Sequence, residues 1–327
     1  MSIMKNFRLY ISILSLIIPA LVSAQDYATA LKGPALIHQY YVNPLMINPA
    51  YTGFSGGHNL FLNYRDQWAD FNNAPRSFTF SYDGALGDRI GLGAMLFSDQ
   101  FGVENRLRGA LSYSYRFENE AGKFAIGLST EYMRYFLDNS ALTDPGVTIP
   151  DDRISEGING FEYFLASLGF YGEIEENFIV GLSFPSLIQS RQDDNGDTEE
   201  EREFNYIAYL GYRAPIEEYD MVIEPILCVR KIGDVDLQID ANLRLSFLDE
   251  RLFSGVTYGF GAGNRLGFML GTRVNALNVF YSYDMTMLDF QQYNAGSHEI
   301  SLMINLPAAF STDNQGEMKE KEHGEVY

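Results

Sequence analysis

Alternation between apolar and polar side chains runs along nearly the whole chain, and it constrains the fold more than any other feature. From 235 to 247 the odd positions are all apolar, whereas the even positions are Asp, Gln, Asp, Asn, Arg and Ser. The stretch 107–117 alternates in the same way. Because successive side chains of a strand point to opposite faces, each stretch has one apolar and one polar face. Long strands of this kind, repeated many times, are typical of an all-β transmembrane antiparallel β-barrel, whose apolar face meets lipid and whose polar face lines the lumen.

The first 24 residues have the features of a secretory signal peptide. Lys5 and Arg8 precede an apolar run at 9–21, and a small-residue site ends at Ala24. The alternative is a membrane anchor, but the run is short and contains Pro19 and two serines. We therefore expect cleavage near Ala24 and location in the outer membrane of a Gram-negative bacterium.

About fourteen segments have a strand pattern, with twelve strands as the alternative. They lie near 59–68, 75–83, 90–99, 106–117, 122–137, 161–174, 177–184, 204–213, 219–231, 235–247, 252–262, 265–274, 276–287 and 297–306. Connections after even-numbered strands are short, and the two long ones, 138–160 and 185–203, both follow odd-numbered strands. Both long connections therefore fall at one end of the barrel, which we expect to be extracellular. Pro225 interrupts the ninth strand and predicts a bulge there.

The pattern divides the chain into a signal peptide at 1–24, a non-strand segment at 25–57, a barrel at 58–306 and a polar tail at 307–327. The segment 25–57 lacks strand periodicity and contains two Asn-Pro pairs, which favour turns. We predict that it is ordered and either plugs the lumen or caps the barrel on its periplasmic side. The tail is predicted to be periplasmic.

Composition and motifs point away from several classes of function. A net charge of −20 argues against nucleic-acid binding, and the single Cys228 excludes an intramolecular disulfide. No nucleophile elbow, metalloprotease motif or paired-cysteine metal site occurs, so we expect no enzyme and no cofactor. A hydrolase site assembled across strands is a weaker option. The one weak metal candidate is a calcium loop, for which a solvated acidic loop is the simpler interpretation; its residues are Asp193, Asp194, Asn195 and Asp197.

Charged residues on the polar faces are predicted to line the lumen or to form structural ion pairs. They are Arg65, Arg106, Arg108, Arg116, Asp236, Asp240 and Arg244. Arg65 needs a partner at membrane depth, and we expect an ion pair with the N-terminal segment. Trp68 follows at the strand end, where an indole suits the membrane interface. Weak alternation around 205–213 places Ile207 and Tyr209 on the lumen side.

Charges in the two long connections are candidates for docking a partner, although plain solubility is the simpler explanation for any one of them. They are Asp144, Asp151, Asp152, Arg153, Glu156, Arg191, Asp193, Asp194 and Asp197.

Several motifs together resemble those of the PorP/SprF family. They are the run 39–53, the Tyr-Arg-Asp-Gln-Trp element at 64–68, and the elements at 74–77, 80–83, 91–102 and 296–302. The residues that carry the resemblance most specifically are Asn43, Pro44, Asn48, Pro49, Ala50, Tyr51, Trp68 and Pro75. The chain departs from the family in its polar tail, since members often stop with an aromatic residue soon after the last strand.

The resemblance implies an outer-membrane barrel tied to the type IX secretion system. It further implies a role in exporting, or holding at the cell surface, a secreted partner such as a gliding adhesin. Expected partners are that secreted protein, periplasmic machinery or peptidoglycan-linked subunits, and the lipid bilayer. No catalytic residues come with the family. The alternative function is a diffusion channel or transporter for small solutes, in which the lumen charges set selectivity.

Overall fold

Pairing between the first and last strands closes the sheet into a barrel. The computed structural model describes residues 38–142, 157–192, 198–201, 204–233, 235–261, 264–287 and 292–307. In the closing pair, His58 lies opposite Leu306 and Asp66 lies opposite His298. The strands are β1 (His58–Asp66), β2 (Arg76–Leu86), β3 (Ile90–Phe101), β4 (Glu104–Asn119), β5 (Gly122–Leu137), β6 (Phe161–Ile174), β7 (Phe178–Gln192), β8 (Thr198–Glu201), β9 (Tyr206–Tyr212), β10 (Ala214–Ile216), β11 (Met221–Lys231), β12 (Gln238–Phe247), β13 (Leu252–Phe260), β14 (Arg265–Val274), β15 (Leu277–Thr286) and β16 (Ser297–Leu306).

Fourteen strand positions make up the closed antiparallel wall. Strand β8 pairs with the end of β7, while β9 and β10 pair with successive parts of β11 and so share one position in the wall. Strand β9 also pairs with β7, which completes the ring. The predicted barrel of fourteen strands is confirmed, and the twelve-strand alternative is wrong.

The strands direct their apolar side chains outward and their polar side chains into the lumen. Leu111 and Leu270 are 67% and 66% exposed on the outer surface. Thr257, Ser282 and Ser301 are fully buried on the inner surface. An exposed apolar belt is stable in lipid, where a closed barrel also satisfies every backbone hydrogen bond of the wall. No helix in the described part of the chain is long and apolar enough to cross a bilayer.

The two ends of the barrel differ in the length of their connections. We call one the short-turn end; it carries the turns at 87–89, 120–121, 175–177, 248–251 and 275–276. The other, the long-loop end, carries the connections 67–75, 138–160 and 287–296. Both residue 57, just before β1, and Leu306, the end of β16, lie at the short-turn end.

Two proline-containing strands differ from expectation. Strand β7 does not end at 184 but continues through Pro185 to Gln192, with a register shift against β6 between Ala166 and Leu168. The chain accommodates the proline because Ser186 adopts a positive φ of 50° and its N–H turns to Ser167 Oγ at 3.0 Å. Part of the predicted long loop is therefore strand.

The bulge predicted at Pro225 is wrong. The β11–β12 register is regular through Pro225, which lies opposite Leu243. On its other side, pairing stops at Ile226 opposite Gly211 and resumes at Ile223 opposite Ala214. Because proline has no N–H to donate, the ladder is interrupted there without an extra residue.

Candidate functional site: a plugged lumen

Residues 38–57 form a segment, here called the plug, that lies inside the barrel. Two of its three short 3-10 turns begin at the Asn-Pro pairs, Pro44–Met46 and Pro49–Tyr51. Proline suits the first helical position because its φ is already fixed and its missing N–H is not needed there. Asn48 caps the second of these turns by accepting a hydrogen bond from the N–H of Ala50 at 3.0 Å. Local sequence therefore accounts for these two turns of the plug.

The first residues of the plug lie in the half of the lumen nearer the long-loop end. The N–H of Gln39 donates to Glu299 Oε1 at 3.1 Å, and Gln39 Nε2 donates to Ser282 Oγ at 2.6 Å. Near mid-depth, the Tyr40 hydroxyl accepts a hydrogen bond from Asn242 Nδ2 at 2.7 Å. These contacts attach the first part of the plug to strands β12, β15 and β16.

The last residues of the plug lie at the short-turn end and contact strands on the other side of the lumen. Two hydrogen bonds hold the backbone of Gly53. Its N–H donates to Asp83 Oδ2 at 2.8 Å, and its carbonyl accepts from Arg116 Nη1 at 2.7 Å. Lys123 Nζ donates to the carbonyl of Phe54 at 2.6 Å. The plug is thus hydrogen-bonded to strands on both sides of the barrel.

A pair of wall glycines makes room for the plug at its closest approach. Gly127 of β5 and Gly169 of β6 are directly opposite each other in the ladder. A Cβ on Gly127 would lie 2.4 Å from the N of Ala50, and one on Gly169 would lie 2.0 Å from Asn48 Oδ1. We call this pair the glycine notch. Its lack of side chains lets the Asn48–Pro49–Ala50 turn contact the wall backbone.

Three tyrosines of the plug, Tyr40, Tyr41 and Tyr51, are called the plug tyrosines. Burial raises the pKa of each hydroxyl above its ordinary value, and nearby carboxylates contribute, such as Asp83 beside Tyr51. The plug tyrosines therefore stay neutral at physiological pH. Tyr51 also contacts the Tyr171 ring edge-on, with centroids 5.0 Å apart. Ile207 and Tyr209 of β9 belong to the same buried cluster, which explains the weak alternation of that strand.

Ion pairs connect neighbouring strands on the inner face of the wall. Arg65 Nη1 lies 2.8 Å from both Asp284 Oδ2 and Glu299 Oε2. The expected ion pair between Arg65 and the N-terminal segment is therefore wrong: both carboxylates belong to barrel strands, and the plug joins the network through the Gln39 N–H on Glu299. Shared partners of this kind keep buried charges compensated at membrane depth.

Four of the other predicted lumen charges, Arg108, Arg116, Asp240 and Arg244, also have described partners. Arg108 pairs with Glu131, and Arg244 pairs with Glu224 at 2.6 Å. Asp240 is shared by Arg230 and Arg265, each at 2.9 Å. Arg116 donates hydrogen bonds to backbone carbonyls, including those of Gly53 and Gly87. Asp236 differs, because β12 begins at Gln238 and Asp236 is exposed before it.

Two cavities flank the plug. The long-loop cavity, about 200 Å³, has plug residues 45–49 as its floor and Arg106, Arg108 and Arg230 in its walls. The short-turn cavity, about 290 Å³, is lined by the plug tyrosines together with Glu173, Glu224 and Arg244. The plug therefore separates two spaces within the lumen.

The structure brings six of the motif residues together in the plug: Asn43, Pro44, Asn48, Pro49, Ala50 and Tyr51. The other two lie in the β1–β2 connection, where the carbonyl of Pro75 accepts from the Gln67 N–H at 2.9 Å. The expectation that Trp68 sits at the membrane interface is wrong. Its ring is buried edge-on against Phe101, with centroids 6.3 Å apart. The backbone N–H of Trp68 donates to Ser297 Oγ at 3.2 Å.

Most of the predicted docking charges, and the whole calcium candidate, fall outside the described residues; these are Asp144, Asp151, Asp152, Arg153, Glu156, Asp193, Asp194, Asn195 and Asp197. Arg191 is described and lies on β7, with its guanidinium 4.3 Å from the centroid of the Phe161 ring. Within the described ranges, no group of three or more His, Cys, Asp or Glu side chains is arranged to hold a metal ion. Cys228 is a buried free thiol.

Sequence reasoning did not single out the carboxylates that complete the ion pairs, which are Glu131, Glu224, Asp284 and Glu299. The sequence did contain a signal for these carboxylates, because each occupies a lumen-facing position in an alternating strand. The glycine notch had no such signal, because glycine is common in strands of this chain and only the position of the plug distinguishes these two.

One family model matches most of the chain. Residues 30–304 match the family model described as "Type IX secretion system membrane protein PorP/SprF". No curated protein matches the chain.

Several solved structures are similar at low identity. Omp33, an outer membrane protein of Acinetobacter baumannii, is 9% identical, with 78% of this chain and all of that chain covered and a TM-score of 0.47. The P. putida toluene transporter TodX is 12% identical, with 81% and 94% covered and a TM-score of 0.45. The Ralstonia pickettii toluene transporter TbuX is 10% identical, with 80% and 93% covered and a TM-score of 0.48. These identities and TM-scores are too low to support an argument about function.

Proposed function

The chain belongs to the PorP/SprF family of type IX secretion system membrane proteins, and from this premise we propose that it is a non-enzymatic docking barrel for a secreted surface protein. The secreted partner, of adhesin type, would bind at the long-loop end. Periplasmic subunits of the secretion machinery, or subunits linked to peptidoglycan, would bind at the short-turn end. This orientation follows the rule that outer-membrane barrels have short periplasmic turns and longer extracellular loops.

The observation that carries the proposal is the plug. It fills the lumen between two cavities and is hydrogen-bonded to strands on both sides of the wall. A lumen filled by ordered chain adds rigidity to the barrel, and a rigid barrel presents fixed surfaces at its two ends. Such surfaces favour docking over conduction, because solutes would have to displace the plug.

Two exposed aromatic residues allow a direct test. Phe71 is 40% exposed in the β1–β2 connection at the long-loop end, and Tyr219 is 67% exposed in the turn before β11 at the short-turn end. A photo-crosslinking amino acid is placed at one or the other position in intact cells, and adducts are isolated through a C-terminal tag. We expect a large secreted protein from Phe71 and periplasmic subunits from Tyr219. Well-inserted barrels that give no adduct at Phe71 would contradict docking.

Solute diffusion is the second candidate, and the charged lumen favours it. Arginine–carboxylate pairs border both cavities, and charged side chains that line a pore set its selectivity. Conduction through the wild-type protein in a planar bilayer would support this candidate, whereas docking predicts a barrel that stays closed.

A further inference from the structure

Aromatic rings form much of the lining of the short-turn cavity. Five tyrosines border it: Tyr40, Tyr41, Tyr51, Tyr171 and Tyr209. The Tyr171 ring contacts those of Tyr51 and Tyr209, with centroid distances of 5.0 and 5.9 Å. The face of an aromatic ring is electrically negative, so several rings around one space favour a cation in it.

Glu173 of β6 is the carboxylate of this cavity that is free of ion pairs. It is half-buried, and within the part of the chain that the structure describes no basic side chain lies within ion-pair distance of it. Two positive charges act on it from further away, Lys123 and Arg213. Lys123 Nζ donates instead to the carbonyl of Phe54 at 2.6 Å. Glu173 can therefore pair with a cation that enters from outside the barrel.

The two arginines of the lining have carboxylates of their own. Arg244 pairs with Glu224 at 2.6 Å, and Arg213 pairs with Glu250 in the turn after β12. Neither arginine therefore neutralises Glu173. Once these pairs are set aside, the described lining keeps two negative charges, Glu173 and the exposed Glu176, and no positive one.

Negative charge continues around the mouth of the cavity. Glu175 and Glu176 are exposed in the turn after β6, and Glu217 and Glu218 are exposed in the turn before β11. Such a surface attracts a basic segment of polypeptide. Among the residues that the structure describes, these carboxylates form no group of three or more that could hold a metal ion. The site therefore favours an organic cation over a metal.

The shape of the cavity limits what can enter it. The plug closes one side, and the opening lies beside Glu176 at the short-turn end. The volume is about 290 Å³, whereas a cavity of about 150 Å³ engineered in another protein holds benzene. One long side chain fits this space, but a continuous chain would have to enter and leave through the same mouth. Arginine suits it, because a planar guanidinium stacks on aromatic rings and pairs with a carboxylate through two parallel hydrogen bonds.

We propose that the short-turn cavity is a receptor site for an arginine side chain of a periplasmic polypeptide. The guanidinium pairs with the Glu173 carboxylate among the tyrosine rings, and the residues that flank the arginine contact the acidic turns around the mouth. This inference rests on the proposed docking function and specifies the chemistry by which the periplasmic subunit is recognised.

A pair of probe peptides tests the proposal on the purified full-length barrel in lipid nanodiscs. Both have the sequence Gly-Ser-X-Ser-Gly with an acetylated N-terminus and an amidated C-terminus, and X is arginine in one and citrulline in the other. Citrulline has nearly the same shape but no charge. By ligand-detected NMR titration, we expect the arginine peptide to bind roughly tenfold or more tightly, because only arginine makes the charge-assisted pair. Equal binding of the two peptides, or binding of neither, would overturn the proposal.

Variants of the barrel locate the site. Glu173→Gln should abolish the preference for arginine, whereas Glu120→Gln, which changes an exposed carboxylate in another turn of the same end, should keep it. If Glu173→Gln fails to fold, Ile179→Lys adds a repelling charge to the same lining and should likewise remove the preference. An arginine preference that survives in the folded variants would place the site elsewhere and overturn the assignment.

Spermidine is the competing small cation. Binding of spermidine that depends on Glu173, without binding of the arginine peptide, would refute a receptor for a polypeptide side chain. Displacement of the bound arginine peptide by unlabelled excess of the same peptide, but not by the citrulline peptide, is the result expected from the proposal.

Crosslinking at Tyr219 in cells separates this inference from the proposed function. An adduct with a periplasmic subunit in wild-type cells, combined with no arginine preference in the peptide assay, would overturn the receptor site and leave docking intact. Absence of the adduct from well-inserted barrels counts against docking at this end whatever the peptide assay shows.

Discussion

Valines in the glycine notch should dislodge the plug and open the barrel. Neither Gly127 nor Gly169 has a positive φ, so the backbone itself accepts a branched residue. The obstacle is the plug, because the new Cβ atoms would lie 2.4 Å from the N of Ala50 and 2.0 Å from Asn48 Oδ1. Atoms in ordinary contact are about 3.5–4.0 Å apart. One side must therefore move by more than an ångström.

The plug should be the side that moves. Overpacking costs about 1–3 kcal/mol at each site, so the double variant adds about 2–6 kcal/mol. The hydrogen bonds that hold this turn, such as Asn48 Nδ2 to the carbonyl of Phe170 at 2.8 Å, each contribute about 0.5–1.5 kcal/mol net. The wall around the notch is held by the continuous β5–β6 ladder from Gly122 to Tyr135.

Conductance in planar lipid bilayers measures the outcome. We expect a closed wild type and a conducting Gly127→Val/Gly169→Val variant. Gly109→Val is the matched control, because a Cβ there meets only Leu96 Cδ2 at an ordinary 3.6 Å. Heat-modified electrophoretic mobility checks that each barrel is folded. A folded double variant that conducts no better than wild type would refute the argument that the notch seats the plug.

Three further predictions follow from the buried groups. Glu299→Ala should lower the free energy of unfolding by about 3 kcal/mol, because it breaks a buried ion pair but leaves Arg65 its second carboxylate. Denaturant titrations in detergent measure the change. The exposed Glu118→Ala is the control and should change the free energy of unfolding by less than about 0.5 kcal/mol. The folded barrel should lose stability as pH rises above about 10, the ordinary pKa of tyrosine. The plug tyrosines have raised pKa values in the folded barrel, so above this pH they keep protons that the unfolded chain releases. Changing all three to Phe should reduce that pH dependence, and an unchanged slope would contradict the prediction. Cys228 is 1% exposed, so it should react with a maleimide after unfolding and not before; rapid labelling of the folded barrel would disprove its burial.

The wall of the barrel was predictable because its signal is local. Alternation reports which face of a strand meets lipid, and it needs only neighbours in sequence. The sixth, twelfth and last predicted strands have the same bounds in the structure, at 161–174, 265–274 and 297–306. Where proline interrupts the pattern, as at Pro185 and Pro225, the sequence showed a disturbance but not its form, since a bulge and a broken ladder remove the same hydrogen bond.

The contents of the lumen were decided by the tertiary structure. The two Asn-Pro pairs predict ordered turns, but only closure of the wall places those turns against the glycine notch. Arg65 required a partner at membrane depth, and the partners are Asp284 and Glu299, which are distant in sequence and become neighbours when β16 pairs with β1. Alternation determines which residues face inward, whereas contacts between side chains of different strands depend on strand register and closure, which no local pattern encodes.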